Sequence, residues 1–133
     1  MKTLTVHTSI AKGVVDITDD VNSILKIAPV KRGLCHLFSP HTTAAITTVH
    51  LDSERDLDLM GAFEITLPKI MKRTGERAHT HFMSRIPSHI VVSLIGSSLA
   101  IPVKDRKLSL GDFQRLVLVQ FNGPADREII ITY

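Results

Sequence analysis

Histidine is the residue type in this chain most suited to chemistry: His7, His36, His41, His50, His79, His81 and His89 make seven in 133 residues. Imidazole is the commonest protein ligand for transition metals and titrates near neutral pH, so a cluster could bind zinc or move protons. No His-Glu-x-x-His pattern occurs, and no histidine pair falls at i,i+4 on a helix, so local spacing by itself does not define a zinc site. His41 stands apart, because it lies in Ser39-Pro40-His41-Thr42-Thr43, where hydroxyls and free amides can hold both an imidazole and a bound anion. His7 falls within the alternation of a first strand, and His36 shares a strand face with Leu34 and Phe38; both read as strand decoration. His50 shares a face with Thr48, Ile46 and Ala44, which leaves it either a core-edge histidine or a site residue. His79, His81 and His89 sit on a polar connection and a helix start, equally compatible with solvation and with binding. Cys35 is the only cysteine. An internal disulfide and an all-cysteine metal site are therefore excluded, and any metal must use histidine or oxygen ligands, with Asp52 and Asp56 near His50 as possible oxygen donors.

The elements that must position these residues are legible in outline. Residues 3 to 7 and 13 to 17 alternate as strands around Ile10-Ala11-Lys12-Gly13, which predicts a hairpin. Thr18 can cap a helix from Asp19 to Ile27, on which Val21, Ile24 and Leu25 repeat at helical spacing. After the basic turn at 29 to 33, strands are expected over Leu34 to Phe38 and Ala44 to His50. Ser53 and Asp56 resemble a capping box for a second helix, with Leu57, Met60 and Phe63 on one face. Pro68 kinks or ends that helix, and Lys72 to Pro87 reads as a long polar connection. A short helix from about Ser88 to Leu94 ends at Gly96, and the strand Leu99 to Val103 turns at Lys104-Asp105-Arg106. Arg115 to Phe121 and Glu128 to Tyr133 are rich in β-branched residues, and Asn122-Gly123-Pro124 between them predicts a closing hairpin.

Composition narrows the class. The length suits one domain, and 44% apolar residues can build a substantial core. Sixteen basic residues against thirteen acidic ones leave a net charge of +3, scattered along the chain, which argues against a nucleic-acid partner. The longest apolar run, Ile90 to Ile95, contains Ser93 and falls far short of the roughly 20 residues that cross a bilayer. The first residues alternate like a strand and carry no export signal. A soluble, cytoplasmic protein with no membrane partner is expected.

The segment Cys35-His36-Leu37-Phe38-Ser39-Pro40-His41-Thr42-Thr43-Ala44-Ala45 resembles the hallmark of the YjbQ-like family, whose members have been labelled secondary thiamine-phosphate synthases. Ser88-His89-Ile90, Ser93-Leu94-Ile95-Gly96, Ile101-Pro102-Val103, Leu108-Ser109-Leu110-Gly111, Phe113-Gln114 and Arg127 follow in the family's order, so the resemblance spans nearly the whole chain. It implies a single α+β domain over residues 1–133, with a mostly antiparallel or mixed sheet and two to three helices. It further implies a homotrimer with a pocket between subunits that resembles a metal or phosphate site.

Carried onto matching positions, the resemblance implies His41 and His89 as site residues, with either His79 or His81 as a third, His79 favoured by its spacing. His41, His79 and His89 are then the expected ligands of a divalent metal, zinc first. Gln114 matches the glutamine of the family's Gly-Thr-Trp-Gln segment, written here Gly111-Asp112-Phe113-Gln114. Where family members typically read Asn-Glu after the Thr-Thr strand, this chain reads Val49-His50 and so lacks a carboxylate. His50 could replace it as a neutral nitrogen ligand, or mark a site without activity. His41, His50 and Gln114 are thus the candidate catalytic residues, and Thr42 and Thr43 the candidates for contacting a small phosphorylated ligand. Two functions follow from the resemblance: a thiamine-phosphate synthase-like transferase joining a pyrimidine pyrophosphate to a thiazole phosphate, or a non-catalytic trimeric module holding a metal or phosphorylated ligand. Histidines that merely pack at subunit contacts are the third possibility.

Overall fold

The computed structural model describes residues 1–50 and 87–133. In these, the elements are β1 (Lys2–His7), β2 (Gly13–Asp16), α1 (Thr18–Ile27), β3 (Arg32–Phe38), β4 (Ala44–His50), α2 (Ser88–Ile95), β5 (Ser98–Lys104), β6 (Lys107–Leu108), β7 (Gln114–Gln120) and β8 (Asp126–Thr132). Every strand pairing among the described residues is antiparallel, in a five-stranded sheet of order β1-β8-β3-β5-β6 and a three-stranded sheet of order β2-β7-β4. The expected second helix, Pro68, Asp52, Asp56, His79 and His81 lie outside the described residues.

Burial patterns explain how the layers stack. The inner face of the larger sheet presents Cys35, Leu37, Ile101, Val103, Ile129 and Ile131 to Ala44, Ile46, Leu116 and Leu118 of the smaller one, and α1 adds Val21 and Leu25. The other face of the smaller sheet carries Ala45, Val117 and Val119, which α2 covers with Val91 and Val92. The order of layers is therefore sheet, sheet, helix. This is why β7, the central strand of the smaller sheet, reads as a continuous buried run, whereas β3 alternates and turns Leu34, His36 and Phe38 outward. Each fully buried leucine or isoleucine in this core stabilises the fold by about 1.5–3 kcal/mol. Among the described residues no helix is long and apolar enough to cross a membrane.

Both expected hairpins are absent, and one arrangement accounts for the two differences. β1 pairs with β8 in the larger sheet, while β2 pairs with β7 in the smaller. Residues 8–12 and 121–125 are not closing turns but neighbouring crossovers that carry one long antiparallel ribbon around the corner from sheet to sheet. The amide and hydroxyl of Thr8 bond to the Ala125 carbonyl, the Ala125 amide donates to the Thr8 hydroxyl, and the Gly123 amide donates to the Ala11 carbonyl. Turn residues mark where the chain bends but do not encode which ladder it joins next, and here long-range pairing buries both apolar faces.

The start of α1 also differs from expectation. Thr18 is a buried residue of the helix, and its hydroxyl exchanges hydrogen bonds with the backbone of Leu116 (2.8 and 3.3 Å) instead of capping the first turn. Asp16 takes part of the capping role by accepting from the Thr18 amide at 2.9 Å, and its other oxygen accepts from Arg115 Nε at 2.7 Å. At the C-terminus of α2 the expectation holds: the helix stops at Gly96, whose φ of 114° is rarely open to other residues. The Gly96 carbonyl accepts from the Ile46 amide, fixing the helix end against β4.

Candidate functional site

β3 runs beside β8 only as far as Phe38 opposite Ile130. The chain then leaves the sheet, because Pro40 has no amide hydrogen for the ladder and buried Ser39 turns its hydroxyl to the Ala44 carbonyl. The next amide of β8 on that side, from Glu128, would be left without a β3 acceptor. It donates instead to Nε2 of His41 at 2.9 Å. The imidazole thus continues the ladder where the backbone has departed, and with Nε2 accepting, the proton of the neutral ring belongs on Nδ1. Partial burial and the positive charge of Arg127 hold the His41 pKa below its ordinary value, so the neutral ring prevails at pH 7. Thr43 is half-buried and its carbonyl accepts from the Phe121 amide, while Thr42 is exposed at the tip of the connection.

Beside His41 lies a buried polar network at one end of the space between the sheets. Arg127 is 6% exposed and Gln120 fully buried. Gln120 Oε1 accepts from Arg127 Nε (2.9 Å) and from the Thr8 hydroxyl (2.8 Å), and its Nε2 donates to the Ile10 carbonyl (2.6 Å). Arg127 Nη2 donates to the carbonyls of Phe121 and Asn122. The N-terminus of α2 comes to the same corner, where the Ser88 hydroxyl bonds to the Asn122 side chain at 3.3 Å. His89, on the first turn of α2, is exposed.

His50 and Gln114 lie elsewhere. They face each other at the far end of β4 and β7, and the six residue steps from Ala44 to His50 cover about 20 Å. There the His50 ring stacks on Phe113, with centroids 5.3 Å apart and planes inclined by 4°. Gln114 donates to the Thr48 hydroxyl at 2.9 Å and accepts from the Gly111 amide at 3.2 Å, so its amide is oriented by its neighbours. Phe113 is 67% exposed.

The structure thus brings His41, Thr42, Thr43 and the start of α2 to one end of the molecule and His50, Gln114 and Phe113 to the other. His7 and His36 are exposed and bond to Asp126 (2.6 Å) and Ser98 (2.7 Å) respectively. Among the described residues, no three of the histidine, cysteine, aspartate and glutamate side chains gather closely enough to hold a metal ion. Arg127, Gln120 and Thr8 were missed as a group by sequence reasoning. The available signal was Gln120, a polar residue closing the apolar run Leu116-Val117-Leu118-Val119.

The family described as UPF0047 protein YjbQ-like matches residues 2–133. A UPF0047 protein of Archaeoglobus fulgidus is 32% identical over 130 residues, covering 96% of each chain. The YjbQ protein of Salmonella typhimurium is 35% identical, covering 87% of this chain and 84% of its own. Among solved structures, a YjbQ/UPF0047-family protein from Clostridium acetobutylicum superposes with a TM-score of 0.74 at 30% identity, covering 99% and 98% of the two chains. A conserved protein from Thermus thermophilus gives a TM-score of 0.79 at 28% identity with the same coverage. Match across the full fold and these identities agree with the histidine-bearing connection after β3: the chain belongs to the YjbQ-like UPF0047 family.

Proposed function

We propose that this YjbQ-like protein is a binding protein whose pocket is completed between the subunits of a homotrimer. One subunit contributes the His41 end and a neighbour contributes the His50–Gln114 end. The observation that supports this is their separation: two groups of candidate site residues at opposite ends of β4 cannot share a ligand within one chain. A second copy also has somewhere to sit. Leu34 and Phe38, 56% and 38% exposed, lie on the outer face of the larger sheet beside Ala100 and Pro102, an apolar strip with no cover among the described residues.

The ligand in this reading is a small phosphorylated molecule, with Thr42 and Thr43 among its contacts. A divalent metal, zinc first, belongs to the expectation through His89 and His79. His41 fits a metal poorly as it stands, because Nε2 already accepts from Glu128 and Nδ1 carries the proton. To ligate, it would have to give up that bond. A bound metal would supply Lewis acidity toward phosphate oxygens.

Thiamine-phosphate synthase-like transfer is the catalytic form of the same pocket, with pyrophosphate leaving as the thiazole nitrogen attacks. His50, where the family resemblance leads one to expect a carboxylate, is stacked on Phe113, which favours the non-catalytic form. Elemental analysis of untagged protein purified without chelators, together with sedimentation equilibrium, tests the reading. Zinc at one per subunit, lost in His89→Ala, and a trimeric mass are expected. A monomer would sink the shared pocket, and turnover of the thiamine precursors above a metal-only blank, abolished by His41→Ala, would replace the binding protein with an enzyme.

A further inference from the structure

Among the described residues no carboxylate balances the charge of Arg127. The residue is 6% exposed, yet its described acceptors are three neutral oxygens: the Gln120 side chain and the carbonyls of Phe121 and Asn122. Among the described residues the ion pairs are those of Arg115 with Asp16 and Asp19, His7 is hydrogen-bonded to Asp126, and none of these involves Arg127. Its neighbours Asp126 and Glu128 are exposed, on the opposite face of β8 by strand alternation. A charge taken out of water without a counter-charge is expensive, and a bound anion would offset that cost.

The bonding pattern shows where such a ligand would attach. Nε and Nη2 are committed to the crossover between β7 and β8. Among the described residues Nη1 has no hydrogen-bond acceptor. His41 bonds to the amide of the residue immediately after Arg127 and carries its proton on Nδ1, a second donor directed away from that amide. The hydroxyls of Thr42 and Thr43 follow on the same connection, and the uncapped first turn of α2 is tied to Asn122, whose carbonyl Arg127 holds.

We propose that Arg127 is an anion-binding residue and that the ligand it takes, with the Nδ1–H of His41 as partner donor, is a phosphate or pyrophosphate group. This deepens the pocket reading by naming what recognises its phosphorylated ligand, but it rests on one subunit's own residues and requires no metal. Guanidinium suits this role because its planar fork can hold the crossover through Nε and Nη2 and still present Nη1 to an oxyanion, which a lysine ammonium does not reproduce. A purely structural arginine would need only Nε and Nη2, and would be indifferent to phosphate.

The test is isothermal titration of the untagged full chain with inorganic phosphate and with pyrophosphate, in EDTA and at constant ionic strength set with chloride. Binding by the wild type, weakened roughly tenfold or more in Arg127→Lys with a cooperative melt retained, is the expected result. Unchanged affinity in a folded Arg127→Lys, or binding by the wild type that vanishes once metal is stripped, would overturn the assignment. Should the variant fail to fold, the Nε–H resonance of Arg127 in the wild type decides: it shifts on phosphate addition if the proposal holds and stays fixed if the arginine is structural. Zinc content and trimer mass are measured separately, so loss of the shared-pocket reading would leave this result standing, and the reverse.

Discussion

The backbone amide of Glu128 donates to Nε2 of His41 at the point where β3 departs from β8, so a side chain 87 positions away in sequence completes the sheet's ladder. His41 is therefore part of the fold as well as a candidate binding group. The two roles are compatible because each uses a different ring nitrogen.

Removing the ring should cost stability and change its dependence on pH. His41→Ala leaves the Glu128 amide without a partner, but the bond lies at the surface, so a loss of about 1 kcal/mol or less is expected. The His41 pKa in the fold lies below the 6.5 of the unfolded chain, first through burial and then through the Arg127 charge. Between those two values the unfolded chain binds more protons. Stability contributed by the neutral ring is full above pH 6.5 and declines as pH falls through the window. Urea unfolding at several pH values should show this decline in the wild type and a smaller one in His41→Ala; identical slopes would refute it.

The Arg115 cluster gives a second pH signature, at lower values. Asp16 is partly buried, which opposes ionisation, but hydrogen bonds from Thr18 and the charge of Arg115 outweigh burial and lower its pKa from 3.8. Its stabilisation is therefore present above about pH 4 and lost as pH falls through the folded pKa. Asp16→Asn should destabilise the protein by about 1 kcal/mol at pH 7 and by much less under strongly acid conditions, read from urea midpoints. Equal losses at both pH values would mean that the carboxylate charge is not what matters.

These residues also show how far the sequence could be read. β4 was legible to the residue, from Ala44 to His50, and α2 was bounded by Gly96, because local alternation and a glycine stop depend only on neighbours. Strand partners were not, since the pairing of β1 with β8 spans nearly the whole chain while the turn residues between β1 and β2 suggest a nearer partner. The same limit applies to the site. Ser39-Pro40-His41-Thr42-Thr43 announces a polar connection carrying a histidine, but its bond to Glu128 and its 20 Å-scale separation from His50 arise only once the sheets assemble. Arg127 is harder still, because arginines are mostly exposed and nothing local marks this one for burial.

Cys35 should be chemically silent while the protein is folded. It is fully buried on the inner face of β3, and burial pushes its thiol up to about 11. Thiolate is the reactive form, so both its concentration and its access are low. In a thiol-reagent assay at pH 8, labelling should follow global unfolding and accelerate in urea. Prompt stoichiometric labelling of native protein would show that the two sheets open locally around Leu37 and Ile101.

Gly123 sits where the two crossovers touch, and a Cβ there would collide with the Ile10 carbonyl and the Gln120 amide. The Gln120 side chain has little freedom to withdraw, because it bonds simultaneously to Arg127, Thr8 and Ile10. Gly123→Ala should therefore cost about 1–3 kcal/mol, the usual range for an overpacked interior position. It should also displace Arg127 through Gln120, so phosphate affinity ought to fall with stability. A control, Gly33→Ala, meets only Val30 at 3.3 Å, near the start of β3 and remote from His41, and should leave phosphate affinity unchanged. Equal effects from the two alanines on phosphate binding would break the link between the crossover network and the anion.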